Sequence, residues 1–140
     1  MEEETNNLNS DVASFFAGYP QQLDSFNAIA QLINRIGPAK IEVKKSQISW
    51  GTRYKFAWVW LPLRFSAVPT RHSRPIGSLV LTFALDRLVK HERIVETANP
   101  KPNRWTHHLI VSKPGDVDRS VEEWLTEAYH FSQRGNLKRR

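Results

Sequence analysis

Lys55 to Phe65 reads KFAWVWLPLRF, with apolar residues at both parities of one extended run. Successive side chains of a strand point to opposite faces, so Phe56, Trp58 and Trp60 are expected on one side and Ala57, Val59 and Leu61 on the other. A strand with one wet face would carry polar residues at every second position. This run therefore predicts an interior strand whose sheet is at least partly covered on both faces. Lys55 and Arg64 mark where it reaches water, and Pro62, which cannot donate to a ladder, ends full pairing or forces a bulge.

Upstream, residues 1–9 are acidic, Asn-rich and aperiodic, and read as a mobile tail. Ser10 is the expected cap of a first helix carrying Val12, Phe15 and Phe16, and Gly18-Tyr19-Pro20 breaks the chain before a second. Over Pro20–Ile36, Leu23, Phe26, Ala30 and Ile33 recur at helical spacing, widened by Ile29 and Ile36. Gly37 is expected to end that helix in the left-handed conformation, with Pro38 behind it. Between Lys40 and Trp50 the apolar parity slips by one, which predicts a bulge or bend near Lys44–Gln47. Gly51-Thr52-Arg53 then turns into the central strand as a hairpin.

Downstream, Ser66–Ser78 (SAVPTRHSRPIGS) is too polar and too broken by proline for core and predicts a long loop. Leu79–Leu85 alternates, with Leu79, Leu81, Phe83 and Leu85 inward. Arg87–Thr97 predicts a turn followed by a strand, and the two prolines of Asn99–Asn103 predict a loop. Trp105–Ser112 alternates again, which sends His107 to the core face and His108 to the opposite one. Asp116 or Asp118 caps a closing helix to about Arg134 with the stripe Val121, Trp124, Leu125, Ala128 and Phe131. Residues 135–140 form a basic tail. Helices and strands are segregated in the chain, so the fold class is α+β. The expected architecture is two N-terminal helices, a mostly antiparallel curved sheet of four to five strands and one C-terminal helix, folded as a single domain over residues 10–134.

The 140 residues are 40 % hydrophobic and include five Trp and seven Phe, enough for one packed core. No cysteine is present, which excludes disulfides, a thiol nucleophile and thiolate-bound metal. The N-terminus MEEETNNLNS is acidic where a secretory signal is basic and then apolar, and no apolar run is long enough to span a bilayer, so a cytoplasmic location and no membrane partner are expected. The net charge of +6 is unevenly spread: Val43–Lys113 holds thirteen Lys and Arg against three Asp and Glu, a local balance of +10. Such a basic middle segment attracts an anionic small molecule, nucleic acid or an acidic protein partner, and it also serves as ordinary solubilising charge.

Two separated blocks carry a family resemblance. Gly18-Tyr19-Pro20, Leu23, Phe26, Ile36-Gly37, Glu42-Val43-Lys44-Lys45, Ile48 and Phe56-Ala57 form the first. Arg104-Trp105-Thr106-His107-His108, Asp118 and Trp124-Leu125-Thr126-Glu127-Ala128-Tyr129 form the second. Over about Asp11 to Ser132 the chain resembles an uncharacterised, mainly bacterial family catalogued as domain of unknown function fifty-six fifty-five. The resemblance implies an α+β fold of helix, sheet, helix order and carries over no activity and no catalytic residue.

No phosphate loop, nucleophile elbow, zinc-protease helix or dinucleotide fingerprint occurs in the sequence. The adjacent His107 and His108 point to opposite faces and cannot readily share a metal, so neither a metal nor a cofactor is implied. Glu122 and Glu123 diverge on a helix and read as solvated charge. The candidate ligand site is an aromatic floor of Phe56, Trp58 and Trp60 with Lys44, Arg53 and Arg64 at its margin and His107 and His108 nearby. The alternative is that these rings are simply core. Arg71, His72 and Arg74 form a second, basic-loop candidate. Three functions fit: a non-enzymatic binding or accessory domain using the sheet face or its basic rim, a nucleic-acid-binding module using the basic middle segment, and a small enzyme using His107 or His108. A free sheet edge or aromatic face is also compatible with a weak homodimer.

Overall fold

The computed structural model describes residues 2–62 and 77–134, with side chains from Leu8 onward. It contains α1 (Glu2–Phe15), α2 (Pro20–Ile36), β1 (Lys40–Val43), β2 (Ile48–Gly51), β3 (Lys55–Trp60), β4 (Leu79–Leu85), β5 (Ile94–Lys101), β6 (Arg104–Val111) and α3 (Arg119–Arg134). The strands form one antiparallel sheet in the order β1-β2-β3-β4-β6-β5. The α+β architecture expected from the sequence is present, with six strands instead of four or five.

α1 begins at Glu2, ahead of the cap expected at Ser10. No proline or glycine interrupts the sequence before Val12, so a helix anchored by Val12, Phe15 and Phe16 can extend backward. Gly18, at φ 83°, reverses the chain in a conformation that suits glycine. α2 then starts with Pro20 in its first turn and buries Phe26, Ile29, Leu32 and Ile33. Gly37 ends it, but in extended backbone at φ 166°, not left-handed. The glycine is required by packing instead, since a Cβ there would stand 2.7 Å from Tyr129 Cζ. The Tyr129 hydroxyl donates to the Pro38 carbonyl at 2.9 Å, which locks α3 to the end of α2.

The parity slip between Lys40 and Trp50 is a hairpin and not a bend within one strand. Lys44 N–H donates to the Gln47 carbonyl at 2.8 Å, and Ile41 pairs with Trp50 and Val43 with Ile48. All four apolar side chains thus reach the main core from two short strands. Between β2 and β3 the register shifts: Trp50 pairs with Ala57 but Gly51 pairs with Lys55. Phe56 is the extra residue of this bulge.

β4 lies within the sheet, and every one of its residues is buried. Leu79, Leu81, Phe83 and Leu85 join Val59, Leu109 and Val111 and the apolar stripes of the helices in one cluster. Each such fully buried side chain contributes about 1.5–3 kcal/mol of transfer free energy. Within the cluster His107 stacks on Phe83 at 5.0 Å, and Phe83 on Trp124 of α3 at 5.5 Å.

The Asp86–Arg93 connection carries the chain from β4 to the edge strand β5 and is tied to α3 by ion pairs. Arg134 reaches Asp86 at 3.0 Å, Arg87 makes a bidentate pair with Glu127 at 2.7 and 2.8 Å, and Arg93 reaches Asp118 at 3.1 Å. Asp118 also caps α3 through the Val121 N–H at 3.2 Å, which decides between the two caps the sequence offers. Asn99 and Pro100, expected in a loop, lie inside β5. An edge strand tolerates proline, the pairing with β6 is irregular between Ala98 and Lys101, and Asn99 Nδ2 donates to the Lys101 and Arg104 carbonyls at 2.6 and 2.7 Å.

Candidate functional site

Apolar residues of all three helices join the cluster on one sheet face, and none joins the smaller cluster of Val80, Val95, Trp60 and Ile110 on the other. Among the described residues that second face is therefore free of helices. The register lays one row of side chains straight across it. Glu42 of β1 pairs with Ser49 of β2, Ser49 with Trp58 of β3, Trp58 with Thr82 of β4, Thr82 with His108 of β6 and His108 with Glu96 of β5. Trp60, Val80 and Ile110 form the adjacent row.

Trp58 and Trp60 are half-buried on this face, as the strand alternation predicts. Phe56 is not with them. The bulge turns Phe56 and Ala57 to the helix side together, where Phe56 is wholly buried edge-on to Tyr129 at 5.5 Å. His107 is likewise buried on the helix side, so the two histidines are separated by the sheet. Lys44 is exposed at the end of β1, and Arg53 lies in the β2–β3 turn with its guanidinium 5.5 Å from the Tyr54 ring centre. Arg64, Arg71, His72 and Arg74 lie outside the described residues.

A hydrogen-bonded chain joins the two rows. The Trp60 indole N–H can only donate, and it does so to Thr82 Oγ1 at 3.2 Å. Thr82 Oγ1 is 2.6 Å from His108 Nδ1. With the threonine hydroxyl donating to Nδ1 the neutral imidazole carries its proton on Nε2, and with Nδ1 protonated the same oxygen accepts both N–H groups; either tautomer satisfies the two contacts. Burial lowers the pKa of His108, and the Glu96 carboxylate opposes that shift. The Thr82 hydroxyl has the spacing of a nucleophile beside its base. Its oxygen already accepts the indole N–H and its residue is only 5 % exposed, so the geometry makes it a link between indole and imidazole.

At the other end of the row, Lys55 Nζ forms an ion pair with Glu42 Oε1 at 2.7 Å. The hydrogen bond from Lys55 and its charge lower the Glu42 pKa, with Lys44 and Lys40 acting the same way. Three ammonium charges thus act on one carboxylate, with Lys55 in direct contact. Between them and the indole sits Ser49, 1 % exposed, whose hydroxyl has no hydrogen-bond partner among the described residues. A buried hydroxyl without a partner costs free energy that a bound acceptor or donor would recover. Ser49, Thr82, Glu42, Lys55 and Glu96 are absent from the sequence-derived site. Thr82 follows from the alternation of β4, whereas Ser49 and Glu42 come onto the face only once β1 and β2 are recognised as a hairpin.

Flat aromatic surface, a line of hydroxyl and imidazole groups and a cationic end together suit recognition of a planar, negatively charged molecule. Among the described residues no three His, Asp or Glu side chains converge as a metal site, and no helix is long and apolar enough to cross a membrane. Among the described residues, a shallow depression of about 510 Å³ runs along the outer side of α3, and one of about 220 Å³ adjoins the β5 end of the row, lined by Val89, His91, Val95 and Glu96.

No curated protein and no solved structure matches the chain. The model of one family, described as Domain of unknown function (DUF5655), matches residues 12–132, the span that holds the apolar stripes of all three helices and the whole sheet, and the chain belongs to that family.

Proposed function

We propose that the protein is a non-enzymatic binding or accessory domain that holds a flat organic anion on the helix-free face of its sheet. The observation that carries this is the unbroken row Glu42–Ser49–Trp58–Thr82–His108–Glu96, flanked by the half-buried Trp60. A buried hydroxyl without a partner and a local excess of positive charge are both features that a bound anion would satisfy. Here Ser49 keeps an unpartnered hydroxyl among the described residues, and Lys40, Lys44 and Lys55 together exceed the single carboxylate beside them. We place the domain in the cytoplasm, which fractionation of the tagged protein checks.

Naphthalene sulfonate, a flat anion, tests the proposal by quenching of tryptophan emission. Trp58→Leu should weaken its binding by roughly tenfold, within the range that ring stacking contributes. Binding unchanged in both Trp58→Leu and Trp60→Leu, in variants that keep the wild-type unfolding midpoint, would remove the sheet face from consideration. A dissociation constant that rises steeply with salt only for long single-stranded oligonucleotides, and not for the small probe, would favour nucleic acid as the occupant.

A further inference from the structure

The Glu42–Lys55 pair lies on the same face as Trp58. The bulge at Phe56 makes Lys55 and Trp58 successive residues on that side, and Glu42 is two register steps from Trp58 through Ser49. The anionic group of a ligand stacked on Trp58 would seek the nearest ammonium, and Lys55 already has a carboxylate at 2.7 Å. The two side chains are 45 % and 39 % exposed overall, which makes this a surface pair of small net stabilisation that an incoming anion can compete with, even though Glu42 Oε1 is itself covered. Lys40 and Lys44, which also act on Glu42, would hold its carboxylate once Lys55 is taken.

We infer that Glu42 is a built-in competitor of the ligand: its carboxylate holds Lys55 and is exchanged for the anionic group of an incoming planar molecule, a proposal that rests on the sheet face being the binding surface. The exchange sets selectivity. A planar anion regains from Lys55 what Glu42 gives up, while a neutral ring of the same size stacks on Trp58 without entering the exchange. A ligand with a rigidly placed charge is favoured over one whose charge is on a long tether, because Glu42 is itself a tethered carboxylate already in place.

The experiment compares naphthalene sulfonate with neutral naphthol on the full chain. Glu42→Gln should tighten naphthalene sulfonate by roughly two- to fivefold, the range an exposed ion pair supports, and leave naphthol unchanged. Glu122→Gln changes net charge equally on the outer side of α3 and should alter neither. In a Lys55→Gln background the Glu42→Gln gain should vanish, since the two groups act on each other. An equal gain in Glu42→Gln and Glu122→Gln, or a gain that persists without Lys55, overturns the competitor role while leaving the binding face standing. Binding that ignores both Trp58→Leu and Trp60→Leu overturns the face itself, and the competitor with it.

Discussion

Acidification should destabilise the protein through His107, and the structure fixes the sign and an upper limit to the slope. The ring is wholly buried, lies flat on Phe83, and its Nε2 accepts the Val89 N–H at 3.0 Å. That contact requires the neutral form, because a protonated Nε2 would set one N–H against another. Burial lowers the His107 pKa from 6.5, with the charges of Arg87 and His108 adding to the shift and the Phe83 backbone and Glu127 opposing it. In the unfolded chain the same ring takes up a proton near its ordinary value. Below that value and above the folded one, the unfolded state binds more protons than the folded state, so stability falls as pH falls. The slope approaches about 1.4 kcal/mol per pH unit for one such histidine and about 2.7 for two. His108 is shifted in the same direction and supplies the second. At pH above the unfolded value the stabilisation is fully present. Urea midpoints measured from about pH 8 down to about pH 5 give the slope in wild type and in His107→Gln, whose amide oxygen can still accept from Val89. The variant should be less stable at neutral pH through the lost ring stack, yet its curve should be flatter at acid pH, by at most about 1.4 kcal/mol per unit. Equal slopes in the two proteins would refute the assignment.

Further outcomes follow from packing. Gly37→Ala should cost about 1–3 kcal/mol in chemical unfolding, since its Cβ meets the Tyr129 ring; Tyr129→Phe, which loses only the bond to the Pro38 carbonyl, should cost about 1 kcal/mol. Asp118→Ala removes the cap of α3 and the partner of Arg93 together, and thermal unfolding should report a loss of about 1–2 kcal/mol. Phe83→Ala opens the centre of the His107–Phe83–Trp124 stack and should cost about 3–5 kcal/mol, the largest effect of these.

Elements with a long, single-phase pattern were legible from sequence alone. α2, β4, β6 and α3 each bury the stripe or parity that their residues dictate, and the opposite facing of His107 and His108 followed from β6 alternation. What escaped depends on contacts between elements. A parity slip looks the same whether it comes from a bend or from a four-residue strand turning back on another, and only the pairing of Ile41 with Trp50 distinguishes them. Pro100 excludes a central strand but not an edge, and edge position is a property of strand order, which the sequence does not write locally. The site shared this fate. Trp58, Trp60 and His108 were visible as members of alternating runs, while Ser49 and Glu42 needed the order of six strands before they could be set beside them.

The extra residue at Phe56 divides β3 into two phases that share one strand. Side chains before it and after it keep separate alternations, so a large ring is delivered to the helices from a position that a regular strand would give to the open face. Substitutions at Phe56 should therefore register in folding alone and those at Trp58 chiefly in recognition, although the two are only two residues apart. Such a phase break lets the interior and the exposed surface of a single strand diverge separately, and removing Phe56 would restore one alternation, with Lys55 still on the open face, at the loss of a core ring.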